Sequence, residues 1–488
     1  MQNITEEKFM NRNTCRAEVS DTPDLAEKTM SATGASFRNA PPASSRAYSA
    51  CAIAALGAFL FGYDGGTFGG AQIFVRQYFQ MIPLVFGMVT SAFLFGCLLA
   101  TTGGVWIQEH LGARKCLGIA TALFIVGSLG AALASSVMVL VLFRLVSGVA
   151  TGIISIAAPM YITEMAPPTR RGQFGLLYQL VLTIGALLGV AMGWLLATTL
   201  PPDIIWRWLL GSTAVPSVVL LLLLTKIPDS PHWLLTHRRE TETMAVMQAI
   251  RDSGQIAGEL DVIRAGDGRM SGSYRDLLRP GIRWALLTGI LLGVFNNWTG
   301  GTGVISYLPT LFQQGGFPVA GDALAVVLLV SCANVGFTVL SIWLVDHVGR
   351  RAIWMSSAGG MTVCIALLGW AYHVGMTGPA IIGLTLLVVM CHALGLGPLP
   401  WLMISELYSG PLRVRAVSVC TTVLWLSGFT SVLVFPLLAA WSQRQIGSAA
   451  GAFWVFAGMS LLALLFGWRL LPETKGKTLE EIDQPWRM

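Results

Sequence analysis

One carboxylate, Asp64, lies inside the first long apolar stretch, AYSACAIAALGAFLFGYDGGTFGGAQIF, with no basic residue near it in sequence. At bilayer depth such a charge costs roughly 2.5–3.5 kcal/mol on insertion scales, so it needs a partner, a proton or a water-filled cavity. All three point to transport: an acid whose surroundings change can take up a proton on one side and lose it on the other.

A second set of charges follows the apolar stretches and recurs. Glu109-His-Leu-Gly-Ala-Arg114 is matched by Asp346-His-Val-Gly-Arg-Arg351. Ile162-Thr-Glu164-Met with Pro168-Thr-Arg-Arg171 is matched by Ile404-Ser-Glu406-Leu with Pro411-Leu-Arg413. Pro228-Asp229-Ser-Pro is matched by Pro472-Glu473-Thr-Lys. The offsets from Glu109 to Asp346, Glu164 to Glu406 and Asp229 to Glu473 are 237, 242 and 244 residues. Three ordered matches at nearly one offset mark a duplicated chain. In each first signature a carboxylate stands three residues before a Gly that permits a tight turn. Glu109, Arg114, Glu164 and Arg171 in one half, and Asp346, Arg350, Arg351, Glu406 and Arg413 in the other, are therefore expected to form ion pairs at helix ends. Such a network holds one conformation and breaks in another.

The elements that must position these groups are membrane helices. Hydrophobic residues make up 54% of the 488 and charged ones 11%, against about 25% charged in ordinary soluble domains. Spans of roughly 20 apolar residues cross a bilayer, and twelve are predicted, at about 48–70, 86–107, 116–135, 137–160, 173–197, 207–226, 284–312, 323–345, 352–373, 378–405, 414–440 and 449–471. The fold class is thus all-α and integral to the membrane, with two six-helix halves, 47–226 and 284–471, in parallel repeat. That layout places a substrate between the halves near mid-membrane. Residues 227–283, with balanced charge and the Gly-rich GDGRMSGS, are expected to be a cytoplasmic linker of short amphipathic helices. Residues 1–46 lack an apolar signal segment and read as a disordered tail; 472–488 form a second tail. Lys and Arg fall at even-numbered span exits and in the linker, which puts both termini in the cytoplasm of a multi-pass protein in a bacterial inner membrane or eukaryotic plasma membrane. The net charge of +6 follows from this bias and is no nucleic-acid signal.

The soluble parts hold no nucleophile–base pair, metal-ligand spacing or phosphate loop, which argues against an enzyme, a cofactor or a metal. Cys51, Cys97, Cys116, Cys332, Cys364, Cys391 and Cys420 fall in or beside spans without paired spacing and read as small apolar filler.

Several strings resemble the sugar porter branch of the major facilitator superfamily, from about Leu56 to Asp483: Phe61-Gly-Tyr-Asp64, Arg144 in FRLVSGVATG, Pro159-Met-Tyr-Ile-Thr-Glu164, Arg171-Gly172, Trp206-Arg207-Trp208, Pro228-Asp-Ser-Pro-His-Trp233, Gly397-Pro-Leu-Pro-Trp401 and Pro472-Glu-Thr-Lys-Gly-Lys-Thr-Leu-Glu-Glu481. The resemblance implies that Asp64 is the protonation site and that Arg144 is its partner. An apolar surround raises a carboxylate pKa and a nearby Arg lowers it, so relative movement of the two would switch proton affinity. The alternative is a static pair that only fixes helix packing.

The resemblance also implies a sugar site between the halves. Gln179, Asn334 and Trp401 match the family's span-five Gln, span-eight Asn and span-ten Trp, with Phe61, Gly397 and Trp425 beside them. The family's span-seven Gln pair is here Asn296-Asn297, Thr302 replaces the following Asn, and Ser306 replaces one of two gating tyrosines, leaving Tyr307. Leu424 stands where a polar amide usually precedes Trp425. His392, where the family often has an aromatic residue, reads equally as a core hydrogen-bonder, a ligand contact or a second titrating group. Asn, Gln and Thr also join membrane helices to each other, so each contact has that second reading. The N-half turn keeps an acid at Glu109 but has His110 and Ala113 where the family usually has Arg, which implies a weaker N-half network and a shifted inward/outward balance.

The expected function is proton symport of a monosaccharide or related polyol by alternating access. The expected partners are that solute, a proton and the lipid bilayer, with the chain acting as a monomer. Alternatives are a proton-linked carrier of another hydroxylated solute such as a sugar acid, a facilitative uniporter, and a non-transporting nutrient sensor.

Overall fold

A computed structural model describes residues 45–166, 171–251, 254, 256–261, 274–280, 282–408 and 412–473; the side chains of 105–106, 171–176, 346, 405 and 413–414 lie outside that description. So do the N-terminal tail up to 44, the GDGRMSGS string and residues 474–488.

Every regular element among the described residues is helical. Eleven helices are long and apolar enough to cross a membrane. They include span one (Ser45–Tyr78), span two (Pro83–Leu111), span three (Ala113–Ala132), span four (Val137–Met165) and span five (Arg171–Thr199). Span six bends between Pro202–Ser212 and Ala214–Leu224. In the second half, span eight is Ala320–Val348, span nine Arg350–His373, span eleven Arg413–Ile446 and span twelve Ala450–Arg469.

Span seven is the exception to the expected row of continuous helices. It is built from Ile282–Trp298, Gly301–Ile305 and Leu308–Gln314. The break follows from Gly300, whose φ of +93° is left-handed and costs a residue without a Cβ little. Span ten is also interrupted: Pro379–Cys391 runs into a π-helical turn, His392–Leu396, before Pro398–Glu406. Such turns often mark functional positions inside helices. Spans one and eleven run past the expected 48–70 and 414–440. Apolar sequence marks the lipid depth, whereas the helix continues wherever its backbone stays bonded and its side chains find neighbours.

Left-handed glycines make the same turn in both halves, Gly112 (φ +81°) between spans two and three and Gly349 (φ +103°) between eight and nine. Span four starts at Ser136, whose hydroxyl accepts from the Val139 N–H at 3.4 Å. Close packing fixes the helices laterally: an added methyl at Gly62 would overlap the Leu182 carbonyl of span five, and one at Gly148 the Phe93 carbonyl of span two. Small residues that admit a neighbouring backbone are a principal means of joining helices in lipid. Spans two and eleven, and five and eight, pack together across the two halves. Large apolar side chains such as Val215, Leu222, Trp441 and Trp468 point outward, as a lipid-facing surface requires. The linker carries the helices Pro231–Thr236 and Glu240–Ile250. Below, the linker side is the membrane face bearing these helices, and the far side is the opposite one.

Candidate functional site

Asp64 and Arg144 meet. Arg144 Nη1 donates to Asp64 Oδ2 at 2.7 Å, and both side chains are 3% exposed. The guanidinium lies over the rings of Phe68 (4.1 Å) and Phe93 (4.8 Å), which gives its charge a favourable face in an otherwise apolar site. Arg144 Nε has no hydrogen-bond partner among the described residues. The pair joins span one to span four. Breaking such a pair by removing one member leaves an unpaired buried charge, at a cost of about 3–5 kcal/mol.

Phe93 also stacks on Phe61 at 6.2 Å, and Phe61 meets Trp425 at 5.7 Å. Trp425 in turn lies 5.9 Å from Trp401. Ring contacts therefore lead without interruption from the Arg144 guanidinium, in one half, to spans ten and eleven in the other. Gln179 and Asn334 are half-buried, and their side-chain amides make no hydrogen bond among the described residues.

The span-seven residues are placed otherwise. Asn296 Nδ2 donates to the Leu396 (2.8 Å) and Gly397 (3.1 Å) carbonyls of span ten. Asn297 Nδ2 donates to the Leu424 carbonyl at 2.9 Å, while its Oδ1 accepts from Thr302 Oγ1 at 2.7 Å. Asn296 thus binds backbone where span ten is interrupted, whereas Asn297 ties span seven to the continuous span eleven. The π-helical turn is held further by Ser341 Oγ, which donates to the Leu394 carbonyl (2.9 Å), and by the Leu396 N–H, which donates to Ser357 Oγ (3.0 Å). His392 packs against Gly301 and Gly397, and its buried Nδ1 has no partner among the described residues.

On the far side the halves touch. Tyr307 donates its hydroxyl to the Val432 carbonyl (2.8 Å) and packs on Phe86 of span two (5.3 Å) and Phe435 (5.2 Å). Gln72 Nε2 of span one donates to the Ser306 carbonyl at 2.9 Å. These contacts seal the seam between the halves at that face.

On the linker side the described ion pairs stay within one half or its adjoining linker. Arg114 reaches Asp229 at 3.7 Å and donates to the Leu224 carbonyl at 3.1 Å; the pairing expected within the Glu109–Arg171 group is not what holds it. Arg350 pairs with Glu406 at 3.2 Å. Arg351 instead donates to the Gly467 and Trp468 carbonyls at the end of span twelve. The Glu164 side chain is half-buried, and that of Glu109 is exposed. Asp346, Arg171 and Arg413 have side chains outside the described residues. Ala113 is 3% exposed, packed in the N-half core.

Two partners were not picked out by sequence. Glu473 accepts from the Arg350 and Arg351 backbone N–H groups (3.0 and 3.1 Å) at the start of span nine, where a carboxylate complements the helix dipole. Arg251 of the linker donates to the Met165 (2.9 Å) and Ala166 (3.1 Å) carbonyls at the end of span four and to Glu259 at 2.8 Å. The repeat of Pro-Asp229 as Pro-Glu473 was the available signal for the first; no sequence motif marked the second.

Residues 50–486 match the family model described as Sugar (and other) transporter. The chain is 33% identical to the galactose-proton symporter of Escherichia coli K12 over 442 residues, which are 89% of this chain and 93% of that one. It is 32% identical to the arabinose-proton symporter of Bacillus subtilis 168, with the same coverage. Among solved structures, the inward-open xylose transporter XylE of E. coli is similar with a TM-score of 0.78 at 25% identity, over 90% of this chain and all of that one. A partially occluded inward-open form of XylE gives 0.79 at 26% identity, over 89% and 100%.

Proposed function

We propose that this chain, which belongs to the sugar (and other) transporter family, imports a monosaccharide or related polyol together with a proton by alternating access. Both named relatives are sugar–proton symporters, and the carrier observation is the buried 2.7 Å pair of Asp64 and Arg144. The aromatic contacts from Arg144 through Phe93 and Phe61 to Trp425 and Trp401 give that pair a physical route to the space between the halves.

Asp64 takes a proton while the far side is open. Once neutral it no longer holds Arg144, whose guanidinium stays over Phe68 and Phe93. The cargo binds between the halves, against Phe61, Gln179, Asn334, Trp401 and Trp425. Gln179 and Asn334 have side-chain amides ready to meet hydroxyls, and the half-buried Trp401 offers a face for a sugar ring, backed by the buried Trp425. Asn296, Asn297 and Thr302 shape this site by tying span seven to spans ten and eleven, since the Asn296 and Asn297 amide N–H groups and the Thr302 hydroxyl already donate to the protein. Rocking then closes the far side through Tyr307, Phe86, Gln72 and Ser306. The cargo and proton leave on the linker side, and Arg144 pairs again with the ionised Asp64. The engaged pair and the far-side seal support reading the present conformation as the inward-facing state after release. Both tails and the linker then face the cytoplasm, in keeping with the Lys and Arg bias; the membrane is the plasma membrane, and one chain carries a complete pathway.

The test is uptake of galactose, arabinose and xylose by proteoliposomes under an imposed pH gradient. Asp64→Asn is expected to abolish uphill accumulation while sparing counterflow exchange. Unchanged accumulation in the variant defeats the coupling assignment, and no uptake of any of the three sugars by the wild type defeats the cargo class.

A further inference from the structure

A half-open cavity of about 250 Å³ lies at the far-side seam, away from the central site, lined by Arg76, Gln77 and Gln80 at the end of span one, by Thr310 and Gln313 of span seven, and by the apolar Ile73 and Met81. A volume of that size has room for several waters or one six-carbon solute. Its lining belongs to both halves.

The polar groups there are underused by the fold. Arg76 lies 5.2 Å over the Phe86 ring and makes no ion pair among the described residues. The Thr310 hydroxyl is buried without a hydrogen-bond partner among the described residues, as is Gln72 Oε1 one helical turn before Arg76. The end of span one is itself unusual. The Met81 N–H donates to the Arg76 carbonyl and the Gln80 N–H to that of Gln77, the closure that normally places Gly at the left-handed position. Here that position is Gln80, with φ +48°. A side chain is kept where none is sterically welcome, and it lines the cavity. Strained positions of this kind gather at ligand sites.

We propose that this cavity is a second binding site, for a small hydroxylated carboxylate of the hexuronate class, and that its ligand inhibits transport by holding the far side shut. Arg76 is the charged residue in the lining and sets the preference for an anion; Gln77, Gln80, Gln313 and Thr310 supply donors and acceptors for hydroxyls. Opening the far side separates span one from span seven and divides the site. A ligand that binds only the closed form must therefore shift the balance toward it. The inhibitory half rests on the alternating-access reading; the binding half does not.

Titration calorimetry of the full-length protein in detergent with glucuronate tests the binding half. Saturable binding is expected, with Kd raised about tenfold or more in Arg76→Gln, raised severalfold in Gln313→Ala, and unchanged in Gln179→Ala. Thermal melting of each variant establishes that it is folded, and Gln313→Ala carries the comparison if Arg76→Gln is not. No binding by the wild type up to millimolar glucuronate, or loss of binding in Gln179→Ala but not in the cavity variants, overturns the site. In oriented vesicles that take up galactose, external glucuronate is expected to lower the maximal rate at constant KM. A raised KM at constant maximal rate overturns the inhibitory half. Vesicles that transport nothing count against the transport reading alone, because calorimetry still decides the site.

Discussion

At the scale of single residues, polar groups in the spans differ in whether the protein already uses them. Gln179 and Asn334 leave their side-chain amides unbonded among the described residues, whereas Asn296 and Asn297 bind carbonyls at 2.8–2.9 Å. The two kinds predict different variants. Gln179→Ala is expected to raise the sugar KM about tenfold with little change in melting temperature, as removal of one direct hydrogen bond to cargo would. Asn296→Ala is expected to cost about 1–3 kcal/mol of stability by leaving buried carbonyls unpaired, with KM changed less than in Gln179→Ala. Melting curves alongside uptake kinetics separate the outcomes; equal KM effects with intact stability would return Asn296 to the cargo site. Sequence identified all of these residues and ranked none of them this way. A side chain's type does not reveal whether its partner is a ligand or a carbonyl on a helix about a hundred positions away.

At the scale of elements, the helices are locked where glycine lets backbones touch and bend where backbone bonding is interrupted. Gly148 sits against the Phe93 carbonyl of span two, and the same span-four helix carries Arg144. Gly148→Val forces the two spans apart, with an expected loss of about 1–3 kcal/mol from overpacking, read as a lower melting temperature in detergent. A melting temperature equal to wild type would show that spans two and four can separate without cost. The interruptions in spans seven and ten were not expected as such. Both stretches are apolar enough to pass as continuous spans, and hydropathy does not register one left-handed glycine or one π-helical turn.

At the scale of the whole molecule, the far-side contacts bridge the halves while the described linker-side ion pairs lie within one half or its adjoining linker. Gln72, through Ser306, and Tyr307, through Phe86, therefore connect the halves at that face. Gln72→Leu removes the bond to the Ser306 carbonyl across the seam and is expected to shift the population toward the outward-facing form. Cysteine labelling from the external side at a reporter position near Phe61 should then become several times faster; an unchanged rate would mean that the seal rests on Tyr307 and Phe86 alone. On the linker side, Glu473→Gln weakens the cap on span nine and is expected to cost about 0.3–1 kcal/mol, read as a small drop in melting temperature.

The sequence by itself determined that this is a duplicated membrane protein, because composition and charge at helix ends are imposed locally by lipid and by topology. It also picked out Asp64 and, through the resemblance, Arg144, because a buried acid is costly wherever the chain folds. Their 2.7 Å contact, the ring contacts from Arg144 to Trp401, the bonded state of Asn296 and Asn297, and the cavity at Arg76 were decided only by tertiary structure. Each joins residues far apart in the chain, and their separation depends on packing that no single segment encodes.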